Sequence, residues 1–372
     1  MGVVLVHGTN MDRNLIHNVW TLAEDVFRPR SADADRADSF HPVRDNVRHL
    51  ANAGFFGLQV PKKFGGFDAD EPTRHEYAEV LASCCGVTAF TQQQLQTGVK
   101  FVVESTNEHL RSRLLPLVAE GSIKCGIALS HMRRSSPSAV QARRAPGGYN
   151  ISGVIPWVSG WGLLDSFVLA ATLENDDHIF AYVDMRQHAH CLAASDPMDL
   201  AVMRSSDTVE VSLNNLHIPD DSVLAIRKPN WLRDSERLTI ASHAALPLGC
   251  ARACVRSLRE LSAIPGRDAV SGTAFELNME IDQRRRDVLT WNCDCVDHPE
   301  YRVHALRARA ASIVLATRAA HAVVVATGGR AHLNGSVAQR LVREASFYAT
   351  AVQTSEVQAS TLDQIFSPFF GQ

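Results

Sequence analysis

The sequence predicts an α+β fold, mainly α, built as an N-terminal helical domain (1–122), a small antiparallel β-domain (123–232) and a C-terminal four-helix bundle (233–372). Three observations carry this. Apolar residues recur at helical spacing through most of the first third. Near Ile123 the pattern changes to short or alternating apolar runs separated by turn residues, and after Arg233 the helical spacing returns and lasts to the end. A chain of 372 residues is long enough for more than one packed unit.

Taken in order, Asn14 to about Ala53 is helical, and GFFGLQVPKKFGGFDAD then interrupts it with Gly and Pro. Helical blocks follow from Glu71 to Val103 and from Asn107 to Glu120. The runs IKCGIALS, GGYNISGVIPWV, SFVLAATL, HIFAYVDM and TVEVSLNNLHIP read as strands. Long helical segments come next, around Glu236 to Ser262, Thr273 to Asn292, Arg302 to Thr327 and Ser336 to Gln364; short connections between long helices predict a bundle. The apolar stretch Ala310 to Thr327 contains Arg318 and His321 and reads as a buried bundle helix, not a membrane span.

Composition narrows the function. The content, 45% hydrophobic and 21% charged, is that of a globular protein, and a net charge of -3 lacks the basic excess of a nucleic-acid binder. The eight Cys show no CxxC spacing and the sixteen His no HExxH array, so the thiols read as reduced residues of a cytoplasmic protein and no metal site is expected. The run Gln283 to Asp287, with Arg284, Arg285 and Arg286, reads as a solvated helix face or a patch for an anionic partner. The stretch Gly148 to Leu173 places Trp157 and Trp161 at a bend rich in Gly and Pro, which suits either a planar cofactor or an ordinary aromatic core.

Four stretches in this order resemble the acyl-CoA dehydrogenase family: GFFGLQVPKKFGG, GYNISGVIPWVSGWGLLDSFVLAAT, MRSSDTVEVSLNNLHIPDDSVL and GGRAHLNGSVAQRLVREASFYATAVQTSEVQ. The resemblance runs from about Gly54 to Gln358 and implies bound FAD, an acyl thioester substrate carried on CoA or a carrier protein, and a homodimer or homotetramer. It implies that Trp157 and Ser159 lie beside the flavin ring, with Leu129 and Ser130 on its pyrimidine side. It assigns Ser136 to the pyrophosphate or the thioester arm, Gly328 and Gly329 to the adenosine half of FAD in a neighbouring subunit, and Thr354 and Glu356 to the vicinity of the same nucleotide.

The chain departs from the family where chemistry is done. The usual catalytic Glu position holds Val352, which accepts no proton. Some family members carry the base on the first bundle helix instead, and SERLTIAS places Glu236 there; aligning on PLGCARA would put Thr239 at that position. The other reading makes Glu236 a first-turn acidic residue of a helix capped by Asp234 or Ser235. The family's Arg and Phe-Gly contacts to pyrophosphate are replaced by SAIPGRDAVSGTAF, where only Arg267 is basic, and HMRRSSPSAV brings Arg133 and Arg134 in place of a glycine-bearing loop. The leading expectation is a divergent FAD-dependent acyl-thioester dehydrogenase. The alternatives are a flavin-dependent hydroxylase or N-oxygenase of the same fold, and a non-redox binding protein, cyclase or isomerase on this scaffold.

Overall fold

A computed structural model describes residues 12–36, 40–133, 139–292 and 295–366. Helices α1 (Arg13–Leu22), α2 (Arg28–Arg36), α3 (His41–Asn52), α4 (Glu71–Cys84), α5 (Gly86–Val103) and α6 (Glu108–Ala119) come first, with a π turn joining α1 to α2. Short polar side chains start three of them. Asp12, Asp70 and Asn107 accept the otherwise unpaired amides of Leu15, Thr73 and Leu110 at 3.0, 2.9 and 3.0 Å.

The middle of the chain forms one sheet from β1 (Cys125–Ala128), β2 (Val140–Ala145), β3 (Gly148–Val158), β4 (Ser166–Thr172), β5 (His178–Asp184), β6 (Leu192–Ala194), β7 (Val209–Pro219) and β8 (Val223–Arg227). The order is β6-β7-β3-β2-β4-β5-β8, with β1 on β4. Most pairs are antiparallel; β1 runs parallel to β4, and β2 meets β4 in parallel at Gln141 and Thr172. Helix α5 lies directly on β1 because position 98 is glycine: a Cβ there would sit 2.3 Å from the Cys125 carbonyl oxygen.

The C-terminal part contains α7 (Trp231–Leu238), α8 (Ala245–Ser262), α9 (Asp268–Thr290), α10 (Tyr301–Thr327), α11 (Val337–Thr350) and α12 (Ser355–Phe366). Helix α10 packs against α8, α9, α11 and α12. Residues Tyr301–His332 are long and apolar enough to cross a membrane, but the inward side of α10, including Ala305, Ile313, Leu315 and Ala316, is buried against those neighbours.

Three sequence readings change here, the first being that the expected segment Ser336 to Gln364 is split into α11 and α12 by the link 351–354. The expected single helix from Glu236 to Ser262 is broken, with the two halves meeting at 61°. The Thr239 and Ser242 hydroxyls compete for turn carbonyls, Ser242 bonding the Thr239 oxygen at 3.0 Å, while Pro247 falls in the first turn of α8, where its missing N–H costs nothing. The arginine run in α9 is not a solvated face. Arg285 reaches Glu79 of α4, a side chain with no exposure, which also accepts from Arg252 of α8 at 3.1 Å. Arg284 pairs within its own helix with Asp287 at 2.9 Å.

Candidate active site

The site grows from an irregularity in β3. Pro156 has no N–H for the ladder, the pairing with β7 slips between Ile155 and Val158, and the bulge turns Trp157 outward, 45% exposed. The Trp157 amide finds Ser130 instead: it donates to Ser130 Oγ at 3.2 Å, and that hydroxyl donates to the Trp157 carbonyl at 2.9 Å. Leu129, Ser130 and Trp157 are thereby held together. Ser159 lies just beyond the strand, buried, with its hydroxyl 2.8 Å from that of Thr208, which in turn meets Ser206 at 2.8 Å. Trp161 packs against Phe167 with ring centroids 6.0 Å apart and belongs to the core.

The short turn Ser130–Arg133 leads away from Trp157 to a second group. Arg133 Nε lies 2.6 Å from Glu236 Oε1, across from α7. Glu236 is in the last turn of α7, not the first as the capped-helix reading had it. The helix begins at Trp231, anchored by its ring against Phe180 and Phe101 at 4.8 and 5.7 Å. A carboxylate at that end opposes the helix dipole, so the end-of-helix position itself contributes no stabilisation and the Arg133 pair offsets the cost.

Glu236 lines a cavity of about 460 Å³ together with Thr239, His243, Arg302, Arg309, Val352, Thr354 and Glu356. Both candidate proton-acceptor positions therefore open into one space. Val352 sits in the link between α11 and α12 with φ +51°, a left-handed conformation that costs a β-branched residue on the order of 1–3 kcal/mol. Arg309, 3% exposed on α10, holds that link by donating Nη2 to the carbonyls of Ala351 and Val352 at 2.8 and 3.0 Å. Burial, and then the Arg133 charge, push the Arg309 guanidinium down to about 10. Burial also lowers His243 well below the usual imidazole range, with Arg309, Arg133 and Lys100 acting in the same direction, so its ring is neutral. Thr354 Oγ1 accepts from the Val357 amide at 3.3 Å and caps α12, and Glu356 pairs with Arg302 at 3.2 Å.

The structure thus gathers Leu129, Ser130, Trp157 and Ser159 on one side and Glu236, Thr354 and Glu356 on the other, with Arg133 between them. Ser136 and Arg134 lie outside the described residues. Gly328 and Gly329 are not part of this cluster. They follow the far end of α10, whose 27 residues span about 40 Å from the end that carries Arg302. Gly328 has φ +68° and ψ -152°, a conformation essentially restricted to glycine, and a Cβ at either glycine would meet nothing within 4 Å. Arg267 donates Nη1 to the Ala326 carbonyl at 2.8 Å beside that turn. Within one chain, then, Thr354 and Glu356 cannot share a nucleotide contact with these glycines unless the nucleotide bridges copies. Arg309, Arg302 and His243 were invisible as site residues in the sequence; an Arg flanked by Ala308, Ala310 and Ala311 was the one available signal.

A family model described as the N-terminal domain of acyl-CoA dehydrogenase matches residues 9–122. The mitochondrial 2-methylacyl-CoA dehydrogenase of Solanum tuberosum is 22% identical over 365 residues, covering 92% of this chain and 87% of its own. The 3-(aryl)acrylate reductase of Clostridium sporogenes is also 22% identical over 365 residues, covering 90% of this chain and 93% of its own. Butyryl-CoA dehydrogenase from Megasphaera elsdenii has the same fold, with a TM-score of 0.82 at 17% identity over 98% of this chain and 100% of that one. The match to the family model is confined to the N-terminal third of the chain, and the solved neighbours give the whole chain the acyl-CoA dehydrogenase fold.

The acyl-CoA dehydrogenases to which the chain is similar are flavin oxidoreductases. The residues of this acyl-CoA dehydrogenase relative fit a flavin ring: Trp157 offers an exposed flat face, the Ser130 hydroxyl bonds its backbone, and Ser159 follows two positions on with its hydroxyl paired to Thr208. The Gly328–Gly329 turn, with Arg267 beside it, leaves open space for a close backbone approach.

Proposed function

We propose that this protein is a FAD-dependent dehydrogenase of acyl thioesters, carried on CoA or on a carrier protein, in which Glu236 replaces the base that Val352 cannot be. The observation that carries the reading is the convergence of Glu236 and Val352 on one cavity. FAD bound against Trp157 would accept hydride from the substrate β-carbon. Arg133 engages Glu236 Oε1, which orients the carboxylate and leaves Oε2 to take the α-proton. The open turn at Gly328, flanked by Val325 and Leu333, which are 82% and 61% exposed, supports a homo-oligomer in which a second copy's cofactor or chain covers this surface.

The Glu236–Arg133 ion pair also favours a second reading, an oxygen-using flavoenzyme that needs no carboxylate base. Anaerobic mixing of the FAD-loaded protein with a panel of acyl thioesters, followed by the flavin spectrum, separates them. Wild-type protein bleaches with an accepted thioester and Glu236→Gln does not. Bleaching that survives in Glu236→Gln removes Glu236 as the base, and oxygen uptake driven by an external flavin reductase without any thioester bleaching establishes the second reading.

A further inference from the structure

We propose that the cavity beside Glu236 selects an acyl group that carries its own anionic group, a carboxylate, and that Arg309 is the residue that binds it. The inference rests on the acyl-thioester reading and names the substrate class for it. An acyl chain without charge would be served best by apolar walls. This cavity is lined instead by Arg233, Arg237, Arg302 and Arg309 against Asp234, Glu236 and Glu356. Arg302 is taken by Glu356 and Arg233 lies 3.9 Å from Asp234. Glu236 is taken by Arg133, which enters from the flavin side.

Arg309 differs from Arg233 and Arg302 in lacking a carboxylate partner, and from Arg237, which is exposed, in being buried. Among the described residues it makes no ion pair with a carboxylate, and its Nε, buried with the rest of the side chain, has no hydrogen-bond partner. Its neighbours are Arg133, which repels it, and Glu236, whose attraction is shared with Arg133. A guanidinium buried with a donor unsatisfied is costly, because the lost hydration is not replaced. Two backbone carbonyls recover only part of that loss. A ligand carboxylate accepting from Nε would satisfy the orphaned donor, pair the charge and use the planar fork for which Arg is suited. The neutral His243 ring in the same wall adds no competing charge.

Isothermal calorimetry on the FAD-loaded full chain tests this with two probes of equal length, an ω-carboxyacyl-CoA and the unbranched acyl-CoA. The carboxylated thioester is expected to bind about tenfold tighter or more, the usual effect of one charge-assisted hydrogen bond in a buried site. In Arg309→Met the ratio of the two affinities falls toward one, and Arg309→Lys, which keeps the charge without the fork, gives an intermediate ratio. Because Arg309 also holds the Ala351 and Val352 carbonyls, the wild-type ratio is the primary readout and stands even if a variant misfolds. Equal binding of the two thioesters by wild type overturns the inference and leaves the acyl-thioester reading standing. Binding of neither thioester overturns both.

Discussion

Replacing Glu79 with Gln should destabilise this protein without touching its cavity. Glu79 on α4 has no exposure and receives Arg285 Nε at 2.9 Å and Arg252 Nη1 at 3.1 Å, so it ties α4 to both α8 and α9. Burial alone would raise its pKa, and the hydrogen bond and charge of Arg285 together with the charge of Arg252 outweigh it, leaving the carboxyl below its ordinary 4.5. Gln keeps the shape and removes the charge. The two arginines then keep Glu76, at 2.9 Å from Arg252 and 3.6 Å from Arg285, and Arg285 also keeps Asp282 at 2.9 Å. Breaking a buried pair costs about 3–5 kcal/mol, and the surviving Glu76 contacts place the expected loss at about 3 kcal/mol. With unfolding entropy near 2 cal/mol/K per residue over 372 residues, that loss lowers Tm by about 4 °C in calorimetry. Glu174→Gln, in an exposed pair with Arg143, serves as control and should leave Tm unchanged. The pH dependence has a fixed sign: a depressed carboxyl contributes stability above its unfolded pKa and loses it as pH falls through the folded value. The gap between wild type and Glu79→Gln should therefore be full at neutral pH and close only below about 4.5. A Tm shift under about 1 °C at neutral pH, or a gap that closes as pH rises, would refute the account.

Two further perturbations address the site. Introducing Val352→Glu into a Glu236→Gln background returns a carboxylate to the same cavity and should recover flavin reduction by an accepted thioester, read anaerobically from the flavin spectrum; no recovery means the two positions do not reach one proton. Trp157→Ala should weaken FAD binding about three- to tenfold, the effect of one lost aromatic contact, measured by fluorescence titration, with Tm of the FAD-free protein unchanged because the ring is 45% exposed.

Much of the architecture was legible because it rests on periodicity. The helical blocks and five strands follow from where apolar residues recur, and the short strands β2, β6 and β8 escaped because three to six residues carry too little pattern, as in the exposed Leu192–Ala194. The α7 start at Trp231 escaped for another reason: the signal was not a cap but a ring packed on Phe101 and Phe180 from distant parts of the chain. Arg285 looked like part of a surface run because charge is ordinarily solvated, and only the position of Glu79 on another helix reverses that.

By itself the sequence determined the order of helical and β segments and the placing of Trp157 at an irregular strand end through Pro156, and its resemblance to acyl-CoA dehydrogenases set Val352 where their catalytic Glu is expected. Each depends on residue identity or on spacing along the chain. Tertiary structure alone decided that Glu236 and Val352 share one cavity, that Arg133 holds Glu236, and that Arg309 is buried there with a donor unsatisfied. Those facts join Arg133 to Glu236 across 103 positions and Glu236 to Val352 across 116, and contacts across such distances are set by how α7, α10 and the sheet pack, which no local pattern encodes.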